Sequence, residues 1–259
     1  MIITPAFSEY EHACQALGAS AAFFQTTAAQ NFTLTGPPAL PGADLIFLAN
    51  PASPSGALLT PAELLPLVSA WENAGCYTVL DEAFIDFVEE SSFKSHLRQF
   101  PRLIILRSFT KFFGMPGIRL GCLLAAPELT LNLAQVQAPW SVSTLAQAMG
   151  RACLADAAYM AESRELIQGE LDYLSGCLGA MDVLSPLPSR VNYILVKLTR
   201  PGWTAGRLQQ AMLKHRIVIR DASNFRGLDE RYIRVAVRRR EDNQRLLAAL
   251  KACLADNLG

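Results

Sequence analysis

The sequence predicts an α/β protein, a mostly parallel sheet layered with helices and followed by a smaller C-terminal α+β unit. Three observations predict it. Apolar runs of strand length alternate with helical patterns over the first 157 residues, the signature of strand–helix–strand units. Beyond about residue 160 the runs become shorter and closer together. The chain of 259 residues is 51% hydrophobic and 18% charged, enough to bury one large core or two small ones.

The elements follow in order. ADLIFLAN (43–50) reads as a buried strand. TPAELLPLVSAWENAG (60–75) reads as a helix, with Thr60 as cap, Pro61 in the first turn and Glu63 completing a capping box. YTVLDEAF (77–84), RLIILRS (102–108) and LGCLLAA (120–126) are further strands, and helical patterns run over 127–136 and 143–178. VNYILVKL (191–198), RIVIRD (216–221) and RYIRVAV (231–237) are short strands around a helix at 204–215, and a last helix starts near 240. The boundary predicted between the two units falls at 157/158, giving a large unit over 1–157 and a small one over 158–259.

Composition excludes several classes. Lys+Arg 23 balances Asp+Glu 23, so nucleic acid is not an expected partner. Six cysteines are scattered without a C-x-x-C pair, and His12, His96 and His215 are far apart, so neither a disulfide framework nor a metal site is expected. A reducing cytoplasm fits that cysteine pattern. MIITPAFSEY has no basic region of a signal peptide, and no apolar run reaches the length of a spanning helix, so no membrane partner is expected.

Polar residues cluster at strand ends. Asn50 closes the first run, Asp81 ends the second, and Ser108 and Lys111 follow the third, with Arg119 in GIRLG beyond. Ligands of open α/β sheets bind outside the carboxyl ends of strands. Singly, each residue has an ordinary reading: Asn50 as a turn former, Asp81 as a cap, Lys111 and Arg119 as solvated charges. Together they suit Schiff-base chemistry, in which a lysine amine condenses with an aldehyde cofactor such as pyridoxal 5'-phosphate. A buried carboxylate, Asp81, would keep the ring nitrogen protonated. Ser108 and Arg119 would hold the phosphate, and Asn50 would donate to the ring oxygen.

The motifs NPASPSG, VLDEAFIDF, SFTK and GIRLG resemble, in order and spacing, those of the fold-type I pyridoxal-phosphate enzymes, the aspartate-aminotransferase superfamily. The resemblance implies an aspartate-aminotransferase-like large domain, with Lys111 carrying the cofactor and Asp81 pairing with its ring nitrogen. It implies Phe7 stacked on the ring, and Asn50, Ser108 and Arg119 as further cofactor ligands. Arg234 falls where the family binds the substrate α-carboxylate.

Within the superfamily the chain resembles the histidinol-phosphate aminotransferase and threonine-phosphate decarboxylase branch, and DEAFIDF and RDASNFRGLDERYIRVAVR are most similar to the decarboxylase side. The implied reaction converts L-threonine O-3-phosphate to (R)-1-amino-2-propanol O-2-phosphate and carbon dioxide in cobalamin biosynthesis. The alternatives are an aminotransferase on a phosphorylated amino acid such as histidinol phosphate, and an inactive scaffold. Arg220 is the expected contact for a substrate phosphate, with Asn192 as a further pocket residue. Phe84 stands where many aminotransferases carry Tyr, which removes a donor to the ring oxygen. Family members begin with a segment that supplies phosphate-binding amides, closes the substrate site and helps build a homodimer. No equivalent precedes MIITPAFSEYE, so the homodimer is expected where that segment is present.

Overall fold

The computed structural model describes residues 1–39 and 42–255. The larger sheet has six strands, β1 (Ile2–Thr4), β2 (Phe23–Gln25), β3 (Leu45–Ala49), β4 (Tyr77–Asp81), β5 (Leu103–Ser108) and β6 (Gly121–Ala125). Their order is β2-β1-β3-β4-β5-β6, parallel except for the antiparallel pair β5–β6. The sheet is covered by α2 (Pro61–Asn73), which buries Leu64, Leu67, Val68 and Trp71 against Ile46, Leu48, Leu80, Leu103 and Ile105. These strands are apolar on both faces because helices cover a parallel sheet. The capping box of α2 forms as read: Glu63 N–H donates to Thr60 Oγ1 at 3.4 Å, and Thr60 N–H donates to Glu63 Oε2 at 2.7 Å.

The first strands were not visible in the sequence. β1 and β2 have three residues each, too few to show a period. Between them lies α1 (Glu9–Ala16). After β5 comes the one-turn α3 (Phe109–Phe112), then α4 (Pro127–Val136), α5 (Thr144–Ala155) and α6 (Ala157–Gly179). The helix predicted over 143–178 is therefore two helices. Asp156 divides them, and its carboxylate accepts from Tyr159 N–H at 2.9 Å as the cap of α6. No Gly or Pro marks the break, so the apolar pattern runs through it.

The smaller sheet is antiparallel, with order β7 (Leu184–Pro186), β8 (Tyr193–Leu198), β10 (Tyr232–Ala236), β9 (Arg220–Asp221). It packs on α6, α7 (Ala205–Leu213) and α8 (Arg240–Ala255) around Leu174, Leu178, Ile194, Leu208 and Leu250. The strand expected over 216–221 pairs only at its last two residues. Arg216 takes a left-handed backbone, φ 58°, which turns the preceding residues off the sheet. The 77–84 strand likewise stops at Asp81, whose Oδ1 accepts from Ala83 N–H at 2.9 Å and turns the chain. Among the described residues no helix is long and apolar enough to cross a membrane.

Candidate active site

β3, β4 and β5 run parallel in register, with Ala49 beside Asp81 and Asp81 beside Leu106. Their carboxyl ends therefore open on one side, and Asp81, Ser108 and Lys111 are carried there by strand ends and the single turn of α3. A cavity of about 820 Å³ lies above them, lined by Phe7, Asp81, Ser108, Lys111, Arg119, Arg220 and Arg234 among others. Residues from 7 to 234 thus meet in one space; of the four strand-end groups expected there, Asp81, Ser108 and Lys111 line it and Asn50 does not.

The electrostatics centre on Asp81. Burial pushes its carboxyl above the usual carboxylate range. Three contacts oppose this: a short hydrogen bond donated by the Tyr10 hydroxyl to Oδ2, the Ala83 N–H on Oδ1, and the Lys111 charge. Tyr10 is buried, stacks on Phe47 with centroids 5.1 Å apart and meets Phe7 edge-on at 6.1 Å. Burial, then Asp81, raise its phenol well above the usual value. Phe7 is 51% exposed, an aromatic face open toward a ligand.

Lys111 Nζ lies 5.9 Å from the centroid of Phe84, whose ring meets Tyr193 edge-on at 5.0 Å. Ser108 Oγ and Thr110 Oγ1 share a hydrogen bond of 2.7 Å. Arg119, at φ 55°, donates from Nη1 to Pro116 O at 3.0 Å. Arg107, just before Ser108, is held by Asp86 at 2.7 Å and by Glu89, which anchors the end of β5.

Arg220 and Arg234 come from the small sheet. Arg220 donates to Asn224 Oδ1 at 2.8 Å and lies 5.7 Å over Phe225. Arg234 donates to Ser53 Oγ at 3.2 Å and lies 4.8 Å over the Tyr193 ring. Burial lowers the Arg234 pKa, Tyr193 opposes this, and the neighbouring Arg220 charge adds to the lowering.

Two expected residues are placed elsewhere. Asn50 is not among the lining residues. Its amide is 1% exposed and bonds twice to Leu59, accepting from N–H at 2.7 Å and donating to the carbonyl at 2.8 Å, so it braces the 50–59 loop. Asn192 also lies off the cavity, with Oδ1 buried and unpartnered. Sequence reasoning missed Tyr10, Ser53 and Tyr193. No local signal marked Tyr10: Phe7 lies before the cap of α1, so helical spacing does not relate the two.

The donor set fits pyridoxal phosphate. It comprises a lysine amine, a carboxylate held in a hydrogen-bonded orientation, a hydroxyl with a guanidinium, and an uncovered aromatic ring, all on one cavity. Two further guanidiniums remain on the same cavity for anions of a second ligand.

Comparison with known proteins agrees. The profile of the family "Aminotransferase class I and II" matches residues 1–250. The chain is 35% identical to the threonine-phosphate decarboxylase of Salmonella typhimurium over 259 residues, covering 98% of this chain and 70% of that one. It superposes on the L-threonine-O-3-phosphate decarboxylase of Porphyromonas gingivalis with a TM-score of 0.88 at 30% identity, covering 98% and 76% of the two chains. For the histidinol-phosphate aminotransferase of Clostridium acetobutylicum the TM-score is 0.89 at 28% identity, covering 99% and 78%.

Proposed function

The chain belongs to the aminotransferase class I and II family, whose members use pyridoxal 5'-phosphate, and we propose that it decarboxylates L-threonine O-3-phosphate to (R)-1-amino-2-propanol O-2-phosphate in cobalamin biosynthesis. The observation that carries this reading is the pair Arg220 and Arg234, opposed on neighbouring strands beside the Lys111 cavity. Two guanidiniums suit a substrate with two anionic ends, a carboxylate and a phosphate. The similarity to a decarboxylase along 98% of the chain supports it.

When bound, the cofactor supplies an aldehyde for amines and a ring that draws electrons from Cα. Lys111 is the amine that would hold it and would serve as the proton donor and acceptor of the cavity. Asp81, oriented by Tyr10 and Ala83, holds a proton on the ring nitrogen. Phe7 would cover one ring face, and Ser108 and Arg119 would take the phosphate. Asn50, buried off the cavity with its amide bonded to Leu59, braces the 50–59 loop and takes no contact with the ring oxygen in this reading. Arg234 would orient the α-carboxylate and Arg220 the substrate phosphate, so the substrate would be held at both ends. Asn192 lies off the cavity beside Tyr193 and takes no part in this reading.

The same reading divides the chain at 157/158 into cofactor-binding and small units, places it in the cytoplasm and makes it a homodimer. What supports the dimer is the exposed apolar side chains of Leu131, Val136, Trp140 and Leu145 on and between α4 and α5, with Trp140 97% exposed. A second reading, an aminotransferase on a phosphorylated amino acid, is favoured by the equally close superposition on a histidinol-phosphate aminotransferase.

The test is a product assay with pyridoxal phosphate and L-threonine O-3-phosphate. Carbon dioxide released without any 2-oxoglutarate supports decarboxylation. Amino transfer to 2-oxoglutarate without carbon dioxide supports the second reading, and neither product indicates a silent scaffold.

A further inference from the structure

The loop between β9 and β10 is fastened to the opposite side of the cavity by an ion pair. Arg226 Nη2 lies 3.0 Å from each carboxylate oxygen of Glu11 on α1. Its guanidinium sits 3.8 Å above the centroid of Phe23 in β2. The next residue, Gly227, has φ +92°, and a Cβ there would stand 3.0 Å from the Gln25 side chain. The loop therefore passes close to β2 at a left-handed position that favours glycine. The same loop carries Asn224 and Phe225, which hold Arg220 from the side and from below.

A second junction joins the small sheet to the large one and is of a different kind. Tyr193 donates to Ala52 O at 2.9 Å, Arg190 N–H donates to Gly56 O at 3.1 Å, and Gly56 has no room for a Cβ against Ser189. That junction is uncharged, part-buried and closely packed. The Glu11–Arg226 junction is charged and half exposed, with side-chain exposures of 27% and 50%.

We propose that Arg226 is a positioning residue: its pairing with Glu11 over Phe23 clasps the 222–228 loop to α1 and β2 and so fixes Arg220 at the cavity mouth. The clasp stands on the contacts themselves, while its effect on substrate rests on the reading of Arg220 as the phosphate anchor. Arg226 lines the same cavity as Arg220, and the role assigned to it is exerted through the loop. A single nitrogen contacts both oxygens of Glu11, so a lysine ammonium can replace it, which a bidentate fork would not allow.

The experiment uses the cofactor-loaded protein and the variants Arg226→Met, Glu11→Gln and Arg226→Lys. Two readouts are taken: amide hydrogen exchange of residues 222–228, and KM and kcat for L-threonine O-3-phosphate and unphosphorylated L-threonine. In Arg226→Met and Glu11→Gln, loop exchange and KM for the phosphorylated substrate should each rise about fivefold, the size of a part-exposed ion pair with a cation–π contact. kcat and the KM of L-threonine should stay within about twofold, and Arg226→Lys should recover both changes. Unchanged loop exchange in both single variants overturns the clasp, whatever the activity. Faster exchange with KM unchanged, or raised alike for both substrates, overturns the positioning role. If the wild type turns over neither substrate, the reading of the reaction fails. The clasp is then judged by loop exchange together with affinity for inorganic phosphate, which must weaken in the variants whose loop exchanges faster.

Discussion

Arg220 and Arg234 stand directly opposite each other across the antiparallel pair β9–β10, and both line the cavity that holds Lys111. Like charges facing each other on neighbouring strands are destabilising, and the lowered pKa of Arg234 reflects burial together with that neighbour. A bound anion relieves the repulsion. Inorganic phosphate should therefore raise the melting temperature of the cofactor-free protein in a concentration-dependent way. Arg220→Ala should melt no lower than wild type without phosphate and should lose most of the phosphate-induced rise. Thermal melts with and without phosphate check this.

Lys111→Ala should abolish covalent attachment of the cofactor. Lys94 is tied to Glu89 and Lys197 lies over Tyr232, so neither lines the cavity. After incubation with pyridoxal phosphate and borohydride, the wild type should gain the mass of one reduced cofactor and the variant should gain none. A gain on the variant would place the attachment elsewhere.

Asp81→Asn should leave the fold in place and lower turnover by about two orders of magnitude or more, as when a preorganised electrostatic partner is removed. Steady-state kinetics with circular dichroism as a fold control measure it. An unchanged kcat would leave Asp81 only the turn it makes with Ala83.

Tyr10→Phe should show a pH-dependent cost. Burial raises the Asp81 carboxyl, and the Tyr10 hydroxyl is the first contact that lowers it. Removing the hydroxyl raises it further. A folded pKa above the unfolded one gives stability that is complete below the unfolded pKa and is lost as pH rises through the folded pKa. In the cofactor-free protein the titration therefore adds nothing to the difference between variant and wild type at about pH 4 or below. It adds a growing deficit to the variant toward neutral pH. Cofactor binding, which needs the anionic carboxylate, should weaken in the variant at a higher pH than in the wild type. Urea unfolding and cofactor titrations across pH check both. A deficit independent of pH would mean that Tyr10 only fills space.

What the sequence made legible is explained by local pattern. Asp81, Ser108 and Lys111 end long apolar runs, so their place at strand ends could be read directly, and parallel pairing then brings them together. Residues whose role depends on distant contacts could not be read. Tyr10 meets Asp81 across 71 positions of sequence and Arg226 meets Glu11 across 215. Asn50 was readable as a strand end, but its amide bonds to Leu59 form only once the 50–59 loop has folded back. β1, with three residues, is defined only by its partners β2 and β3. In RIVIRD, the left-handed turn at Arg216 outweighs the strand preference of the apolar residues after it.

The most direct test of the central claim compares carbon dioxide release from L-threonine O-3-phosphate and from L-threonine in Arg220→Ala and Arg234→Ala. A charge-assisted contact to each anion contributes about 2–3 kcal/mol, or roughly 30- to 150-fold in kcat/KM. The account predicts that Arg220→Ala loses that factor on the phosphorylated substrate alone, while Arg234→Ala loses it on both. Equal losses on the two substrates in Arg220→Ala would contradict the assignment of Arg220 to the phosphate, and with it the phosphorylated substrate.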